Sequence, residues 1–390
     1  MEYNFDKVID RSGTDAEKWD GMMEIWGRND LIPLWVADMD LATPPFILDA
    51  LKKRCEHPIL GYTRKSDGYY HAIINWVKAR YGMDVKKEYL NYVPGIVAGI
   101  GMAINAFTNP GDKIMIMPPV YHPFAWLVTR NHRRLVECPL QLTDGHYRMN
   151  LELFRRKIKG IRLFILCNPH NPGGVVWGRE ELEAIANICA DDNVIVLSDE
   201  IHADLTLPPY RFLPFAMVSE KARNNSVTFM SPSKAFNMAG LAASHTIIYN
   251  KGLRERFSAY LEAGELNMGH LFAFPAVEAA YSNGTEWLDQ CISYLQGNID
   301  YVIDYLKEHM PLIKPMRPMA SYLIWLDCRA LGLSQKELND LFVEKAHLAL
   351  NDGEMFGKEG QGFMRMNIGC PRSVLVKAMQ QLEEAYRMFR

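Results

Sequence analysis

The run Ile161-Arg-Leu-Phe-Ile-Leu-Cys167, closed by Asn168-Pro-His-Asn-Pro-Gly-Gly174, decides the fold. A short apolar run stopped by two Asn-Pro pairs reads as a buried strand ending in a turn. Arg179 to Asp191 follows with helical spacing and an acidic first turn, and Val194-Ile-Val-Leu197 reads as the next strand. Working outward, Lys113 to Met117, Val227 to Met230 and Ser244 to Tyr249 have the same strand character. Strands separated by helices imply an α/β fold with an open, mostly parallel sheet. Ligands on such sheets sit beyond the carboxyl ends of the strands. The segments after Met117, Cys167, Leu197 and Met230 are therefore expected to meet at one site.

The flanks differ from this centre. Residues 1–45 look irregular, with Trp19, Trp26 and Trp35 as apolar anchors, and Pro44-Pro45 lead into a helix from Phe46 to Cys55. Past residue 285 a long helical stretch to Met310 precedes a strand at Ser321 to Asp327, a helix at Ser334 to Ala346, a strand at Phe363 to Ile368 and a helix at Arg372 to Phe389. These read as a smaller α+β domain. The expected division is 1–45, a segment joining the small domain, 46–285, the large domain, and 286–390, the small domain.

Composition removes several classes. The chain has 390 residues, 48% of them hydrophobic and 23% charged, with a net charge of -3 and no basic stripe, so a nucleic-acid partner is not expected. Seven scattered cysteines form no Cys-x-x-Cys pair, which argues against a zinc knuckle and suits a reducing compartment. No apolar run approaches the ~20 residues of a membrane helix, and the acidic, polar start is unlike a secretory signal. A soluble cytoplasmic protein is expected.

Four strand ends carry unusual polar residues: Tyr121 in Pro118-Pro-Val-Tyr-His-Pro123, Asn168, Asp199 with His202, and Lys234 in Ser231-Pro-Ser-Lys. An amine, a carboxylate, a phenol and amides would share one crevice. Each residue alone has two readings. Lys234 is either a solvated loop lysine or a Schiff-base lysine, whose amine must lose its proton easily. Asp199 is either a helix cap or the partner of a pyridinium nitrogen. Val93-Pro-Gly95-Ile96-Val97-Ala-Gly99 is either a plain turn or a helix N-terminus that favours a phosphate, to which Ser231 and Ser233 could add hydroxyls. Tyr121 is either a core aromatic or a ring stacked on a flat cofactor. Asn168 and His202 either serve structure or bond a ring oxygen. Arg365 shares a strand face with Phe363 and Asn367. It is either an edge charge or a bidentate grip on a carboxylate. Tyr3, Phe5, Trp35, Trp126 and the loop from Gly353 to Gly362 are unranked candidates for shaping a substrate pocket.

Taken together, Asn168-Pro-x-Asn-Pro-Gly, Ser198-Asp199-Glu, Ser-x-Ser-Lys234 and Arg365-x-Asn-x-Gly, in that order, resemble the class I/II aminotransferases of the fold-type I superfamily. The resemblance implies a pyridoxal 5'-phosphate cofactor, a large domain with a mixed, mainly parallel seven-stranded sheet, a small domain built from both chain ends, and a homodimer with active sites at the interface. It also implies that Lys234 carries the cofactor, Asp199 pairs with its ring nitrogen, Asn168 binds its ring oxygen and Tyr121 stacks on it. By the same resemblance Gly95, Ile96, Ser231 and Ser233 lie near the phosphate, Tyr62 reaches the neighbouring subunit's phosphate, and Arg365 holds the substrate α-carboxylate.

Trp35-Val-Ala-Asp-Met-Asp40, Asn168-Pro-His170-Asn-Pro-Gly-Gly-x-Val-Trp177, Asp199-Glu-Ile-His202 and Asn367-Ile-Gly-Cys-Pro371 look like the narrower MalY/PatB-type C–S β-lyase branch, similar to cystathionine β-lyases. Aminotransferases of the broader class carry tyrosine where His202 stands. The implied activity is β-elimination from L-cystathionine or related L-cysteine S-conjugates. The rivals are an aminotransferase of aromatic or sulfur amino acids and a partner-binding regulatory protein that keeps the fold.

Overall fold

The computed structural model describes residues 2–389. Seven strands build the main sheet: β1 (Leu90–Val93), β2 (Lys113–Ile116), β3 (Arg134–Glu137), β4 (Ile161–Cys167), β5 (Ile195–Asp199), β6 (Ser226–Met230) and β7 (Ser244–Ile247). Their spatial order is β1-β7-β6-β5-β4-β2-β3. Strands β6, β5, β4, β2 and β3 run parallel, and β7 lies antiparallel to both β6 and β1. The sheet is thus the expected mixed, mainly parallel one, and its strands alternate with helices.

Helices cover both faces, as a largely parallel sheet requires. α3 (Ile96–Phe107), α4 (Pro123–Arg130) and α6 (Lys251–Ala263) bury Ile100, Ile104, Phe107, Phe124, Val128, Phe257 and Leu261 on one face, with Leu163, Leu197 and Phe229 of the strands. α5 (Arg179–Asp191) buries Leu182, Ile185 and Cys189 with Phe164 and Val196. Its start is fixed by Glu181, whose side chain accepts from the Gly178 N–H at 3.2 Å. The connections after β2 and β4 leave toward opposite edges, β2 to β3 and β4 to β5. That reversal opens a crevice at the carboxyl ends of the two strands.

A four-stranded antiparallel sheet follows, ordered β8-β9-β11-β10 from β8 (Lys314–Met316), β9 (Leu323–Asp327), β10 (Asn351–Asp352) and β11 (Phe363–Asn367). The amino-terminal segment joins it indirectly: Ile32–Pro33 pair in parallel with Leu348–Ala349. Trp26, Trp35 and Val343 form a small apolar cluster there. One large core runs from α1 (Pro45–Cys55) and α2 (Asp67–Tyr81) through α7 (Ala273–Asn283) and α8 (Thr285–His309) to α9 (Arg372–Phe389).

Some elements depart from the sequence reading. α2 has no counterpart in it, although Ser66 caps the helix by accepting from Tyr69 N at 2.9 Å. Tyr69, Ile73, Trp76 and Val77 bury one face. The stretch from Ser334 to Ala346 is not one regular helix: an α-helix over Gln335–Asp340 passes into a π turn over Leu341–Lys345. The strand expected from Ser321 starts at Leu323, because Ser321 holds a left-handed φ of 78°.

Candidate active site

A cavity of about 490 Å³ opens at the carboxyl ends of the central strands. Gly95, Ile96, Val97, Tyr121, Asp199, His202, Ser233 and Lys234 all line it. The segments after β2, β4, β5 and β6 do meet, as the strand pattern implies.

The first turn of α3 forms one wall. Gly95 precedes the helix with φ 132° and ψ 154°, a conformation open to glycine and strained for other residues. Lacking a side chain, it caps nothing, and the first turn's N–H groups have no acceptor within their own helix. Ser233 lines the same wall region. Ser231 stands behind it, with its hydroxyl 2.9 Å from Ser233 Oγ and 2.8 Å from the Ala243 carbonyl, and is not on the cavity wall.

Asp199 ends β5 on the cavity wall, 4% exposed. Its Oδ1 accepts from Ile201 N at 3.1 Å, and no cation among the described residues lies within ion-pair distance. Burial pushes its carboxyl up to about 7, against the pull of the Ile201 N–H and of Lys234. Lys234 donates to the Ala37 carbonyl at 2.5 Å. Burial lowers its ammonium to about 8, with Asp38 acting upward and Arg365 downward. His202 is lowered to about 3 by burial and by the charges of Lys234 and Arg365, so it is neutral at ordinary pH. Its Nδ1 is buried without a partner.

Asn168 is fully buried directly after β4. It donates to Leu213 O at 3.2 Å, its Oδ1 has no partner, and it is not itself on the cavity wall, although its neighbours Cys167 and Asn171 are. Arg365, on β11 between two neighbouring strands, is 3% exposed and is no edge charge. It donates to Asn171 Oδ1 at 3.0 Å, Trp35 O at 3.0 Å and Asn351 Oδ1 at 2.5 Å, while its Nε is buried and unpartnered. Burial lowers it to about 10, which leaves it charged.

Two expectations about pocket shape are corrected. The Trp35 ring turns away from the cavity, edge-on to Trp26 at 5.2 Å, and its indole donates to Lys18 O. Only its carbonyl serves the site, through Arg365. Tyr3 and Phe5 pack toward α8, where Phe5 meets Trp287 and Tyr294. Tyr62 lies outside the cavity, fully exposed beside exposed Ile59 and Leu60.

The structure also adds residues the sequence reading gives no role. Residues 35–40 form a strap held by its carbonyls. Asn367 donates to Val36 O and Asp38 O, Tyr322 to Ala37 O, and Asn237 to Met39 O. Below it, Lys18 is wholly buried and ion-paired with Asp40 at 2.7 Å, while Arg11 bridges Asp38 and Asp40. Asn367 carried a weak signal, since it shares a strand face with Arg365. A backbone acceptor such as Ala37 has no signature in residue type.

The fold and this cavity define a class: an open α/β sheet that brings a buried lysine amine, a buried carboxylate and a helix N-terminus together at its switch point. Residues 29–382 match the aminotransferase class I and II family, and the chain belongs to it. It is 42% identical over 384 residues to the cystathionine beta-lyase PatB of Bacillus subtilis (strain 168), spanning 98% of this chain and 99% of that one. Among solved structures it is similar to cystalysin from Treponema denticola, which contains pyridoxal 5'-phosphate (TM-score 0.95, 33% identity, 100% of both chains). It is also similar to the PLP-bound C-S lyase of Staphylococcus hominis (TM-score 0.92, 34% identity, 99% of this chain and 98% of that one).

The residues present fit pyridoxal phosphate on their own chemistry. The amine of Lys234 can carry an aldehyde, and the unpaired carboxylate of Asp199 suits a cationic ring nitrogen. The orphaned Asn168 Oδ1 and His202 Nδ1 await polar partners. The α3 N-terminus and Ser233 suit a phosphate.

Proposed function

We propose that this protein is a pyridoxal-phosphate-dependent C–S β-lyase that cleaves L-cystathionine or related L-cysteine S-conjugates to a thiol, pyruvate and ammonia. The observation that carries the reading is the pairing, in one cavity, of a lysine amine that sheds its proton near pH 8 with a buried carboxylate that lacks a cation. The names of the two C–S lyase relatives support the choice of reaction.

Lys234 would hold the cofactor, Asp199 its ring nitrogen, Asn168 and His202 its ring oxygen, and Tyr121 its ring face. Gly95, Ile96, Val97, Ser231 and Ser233 would surround its phosphate. When bound, this group supplies an electron sink for a carbanion at the substrate α-carbon. Arg365 grips the substrate α-carboxylate and fixes the α-C–H bond toward Lys234. The Lys234 amine, freed when the substrate's own amino group replaces it, would take the α-proton, and the ionised Asp199 would keep the ring nitrogen positive. The β-carbon then loses its thiolate, and the released enamine hydrolyses to pyruvate and ammonia. Neutral His202 adds no second cation beside Lys234, which keeps that amine a base.

The same reading takes the chain to be a homodimer with sites at the interface, to which Tyr62 contributes across subunits. It places the protein in the cytoplasm, in keeping with seven free thiols and with no helix among the described residues long and apolar enough to cross a membrane. The division at residues 45 and 285 belongs to this reading too.

The test is the holoenzyme with L-cystathionine, assayed for pyruvate with and without a keto-acid acceptor. Pyruvate without acceptor is expected. Turnover only with acceptor would instead make the protein an aminotransferase.

A further inference from the structure

The imidazole of His170 has no part in the chemistry above, yet it joins two walls of the cavity. It lies in the turn after β4, between Asn168 and Asn171, and is 3% exposed. Its neighbour Asn171 lines the cavity and accepts from Arg365 at 3.0 Å. His170 Nε2 stands 2.8 Å from the carbonyl oxygen of Pro119, in the turn after β2. Tyr121 follows in the same turn and lines the cavity from the other side. At the far edge of the imidazole, Gly173 N donates to Nδ1 at 3.3 Å.

The two bonds demand one tautomer. A carbonyl can only accept, so Nε2 carries the proton; a backbone N–H can only donate, so Nδ1 is bare. Burial lowers the imidazolium to about 4, so the neutral form holds at ordinary pH. The ring is also caged. Tyr147 meets it edge-on at 5.7 Å and Trp177 packs at 5.5 Å. Both are anchored in turn: Trp177 donates to Cys167 O at 2.8 Å, and the Tyr147 hydroxyl accepts from Trp325 at 3.0 Å. A Cβ on residue 173 would come within 2.9 Å of Nδ1, so a glycine is what lets that N–H approach. Pro119 has no N–H of its own, so its carbonyl is its single backbone handle, and His170 takes it.

We infer that His170 is a positioning residue: through its Nε2–H it fixes the wall carrying Tyr121 against the wall carrying Asn171. A flat ring held between the walls then meets Tyr121 at a set distance. Contact attraction falls steeply with separation, and a gap of about 0.5–1 Å forfeits a quarter to a half of it. The inference rests on the cofactor reading above, in which Tyr121 covers the ring face.

The experiment measures the affinity of the full chain for pyridoxal phosphate by equilibrium dialysis, with the melting temperature alongside, in two amide variants. His170→Gln places an amide N–H where Nε2 stands. His170→Asn places an amide oxygen near Nδ1 and leaves the Pro119 carbonyl without its donor. His170→Asn should weaken binding by about tenfold, the size of one net buried hydrogen bond, and His170→Gln by less than about threefold. In a Tyr121→Ala background, His170→Asn should cost less than about twofold more, because two residues acting through one contact are not additive. Equal losses in both backgrounds, no loss at all, or a His170→Gln chain as weak as His170→Asn overturns the positioning role and leaves Tyr121 on the ring. A His170→Asn chain that no longer folds without cofactor overturns it too, since the residue would then hold the fold itself. An affinity unmoved by Tyr121→Ala alone would instead remove Tyr121 from the ring, and the inference with it.

Discussion

Lys234 Nζ donates its hydrogen bond to the carbonyl oxygen of Ala37, a residue 197 positions earlier in the chain. The same carbonyl accepts from the Tyr322 hydroxyl at 2.9 Å. The cavity thus gives the lysine only a neutral acceptor, and burial takes its ammonium down to about 8. A lowered value means that the free amine appears as pH rises through about 8, well before an exposed lysine loses its proton near 10.4. In the cofactor-free protein, acylation of Lys234 followed by peptide mass analysis should show that midpoint. A midpoint at 10 or above would refute it. Lys234→Ala should lower lyase turnover by on the order of 10²–10⁴-fold, the size of a lost acid–base group.

Asp199 should show opposite effects with and without cofactor. Its folded-state carboxyl is raised from 3.8 to about 7 by burial, so ionising it works against the fold. The penalty is absent below the unfolded value, builds as pH rises from about 4 to 7, and is complete above that. Cofactor-free Asp199→Asn should therefore melt higher than wild type at pH 8, by up to ~4 kcal/mol of stability. The gap should close toward pH 4. With cofactor the sign reverses, because the ring nitrogen loses its counter-charge. Affinity should fall by about 2–5 kcal/mol, read by equilibrium dialysis of pyridoxal phosphate.

Much of this site is legible in sequence because it sits at strand ends, where apolar runs stop abruptly. β4 and α5 coincide with their expected limits to the residue, since Asn168-Pro and an acidic first turn mark their ends. Asp199, His202, Ser233 and Lys234 follow such ends and reach one cavity. What stays hidden depends on direction and distance. Nothing in Trp35 says that its ring faces Trp26 while its carbonyl faces Arg365. α2 mixes aromatic and polar residues on its buried side, with Tyr69 and Trp76 burying large areas behind polar atoms, which blurs the apolar stripe. The strap at residues 35–40 looks irregular because its order comes from Asn367, Asn237 and Tyr322, all distant in the chain.

Arg365 should not tolerate lysine. Asn171, Asn351 and the Trp35 carbonyl spread three acceptors around a planar guanidinium and hold it over Phe356. A lysine ammonium is a point charge that cannot meet all three and a carboxylate as well. Arg365→Lys should lower kcat/KM by on the order of 10²-fold, mostly through KM, since the contact is made to the bound substrate as well as in the transition state. Steady-state kinetics on S-methyl-L-cysteine would show this split. A fall confined to kcat would place the arginine elsewhere in the chemistry.

Tyr62 offers the sharpest test of a shared site. Its side chain is fully exposed, and Ile59 and Leu60 beside it are 66% and 65% exposed. Apolar residues grouped this way suit a surface that another chain covers. Sedimentation should give a particle of two chains, and Tyr62→Ala should weaken cofactor retention. Position in cis or in trans can then be decided by mixing subunits. Tyr62→Ala chains and Lys234→Ala chains are unfolded and refolded together, and assayed at a pyridoxal phosphate concentration too low to load Tyr62→Ala alone. If Tyr62 acts across the interface, each mixed dimer has one site with both residues intact and one with neither. Random pairing should then recover about a quarter of wild-type activity in a twofold-symmetric assembly. If Tyr62 acts within its own chain, every site carries a defect and the mixture stays inactive.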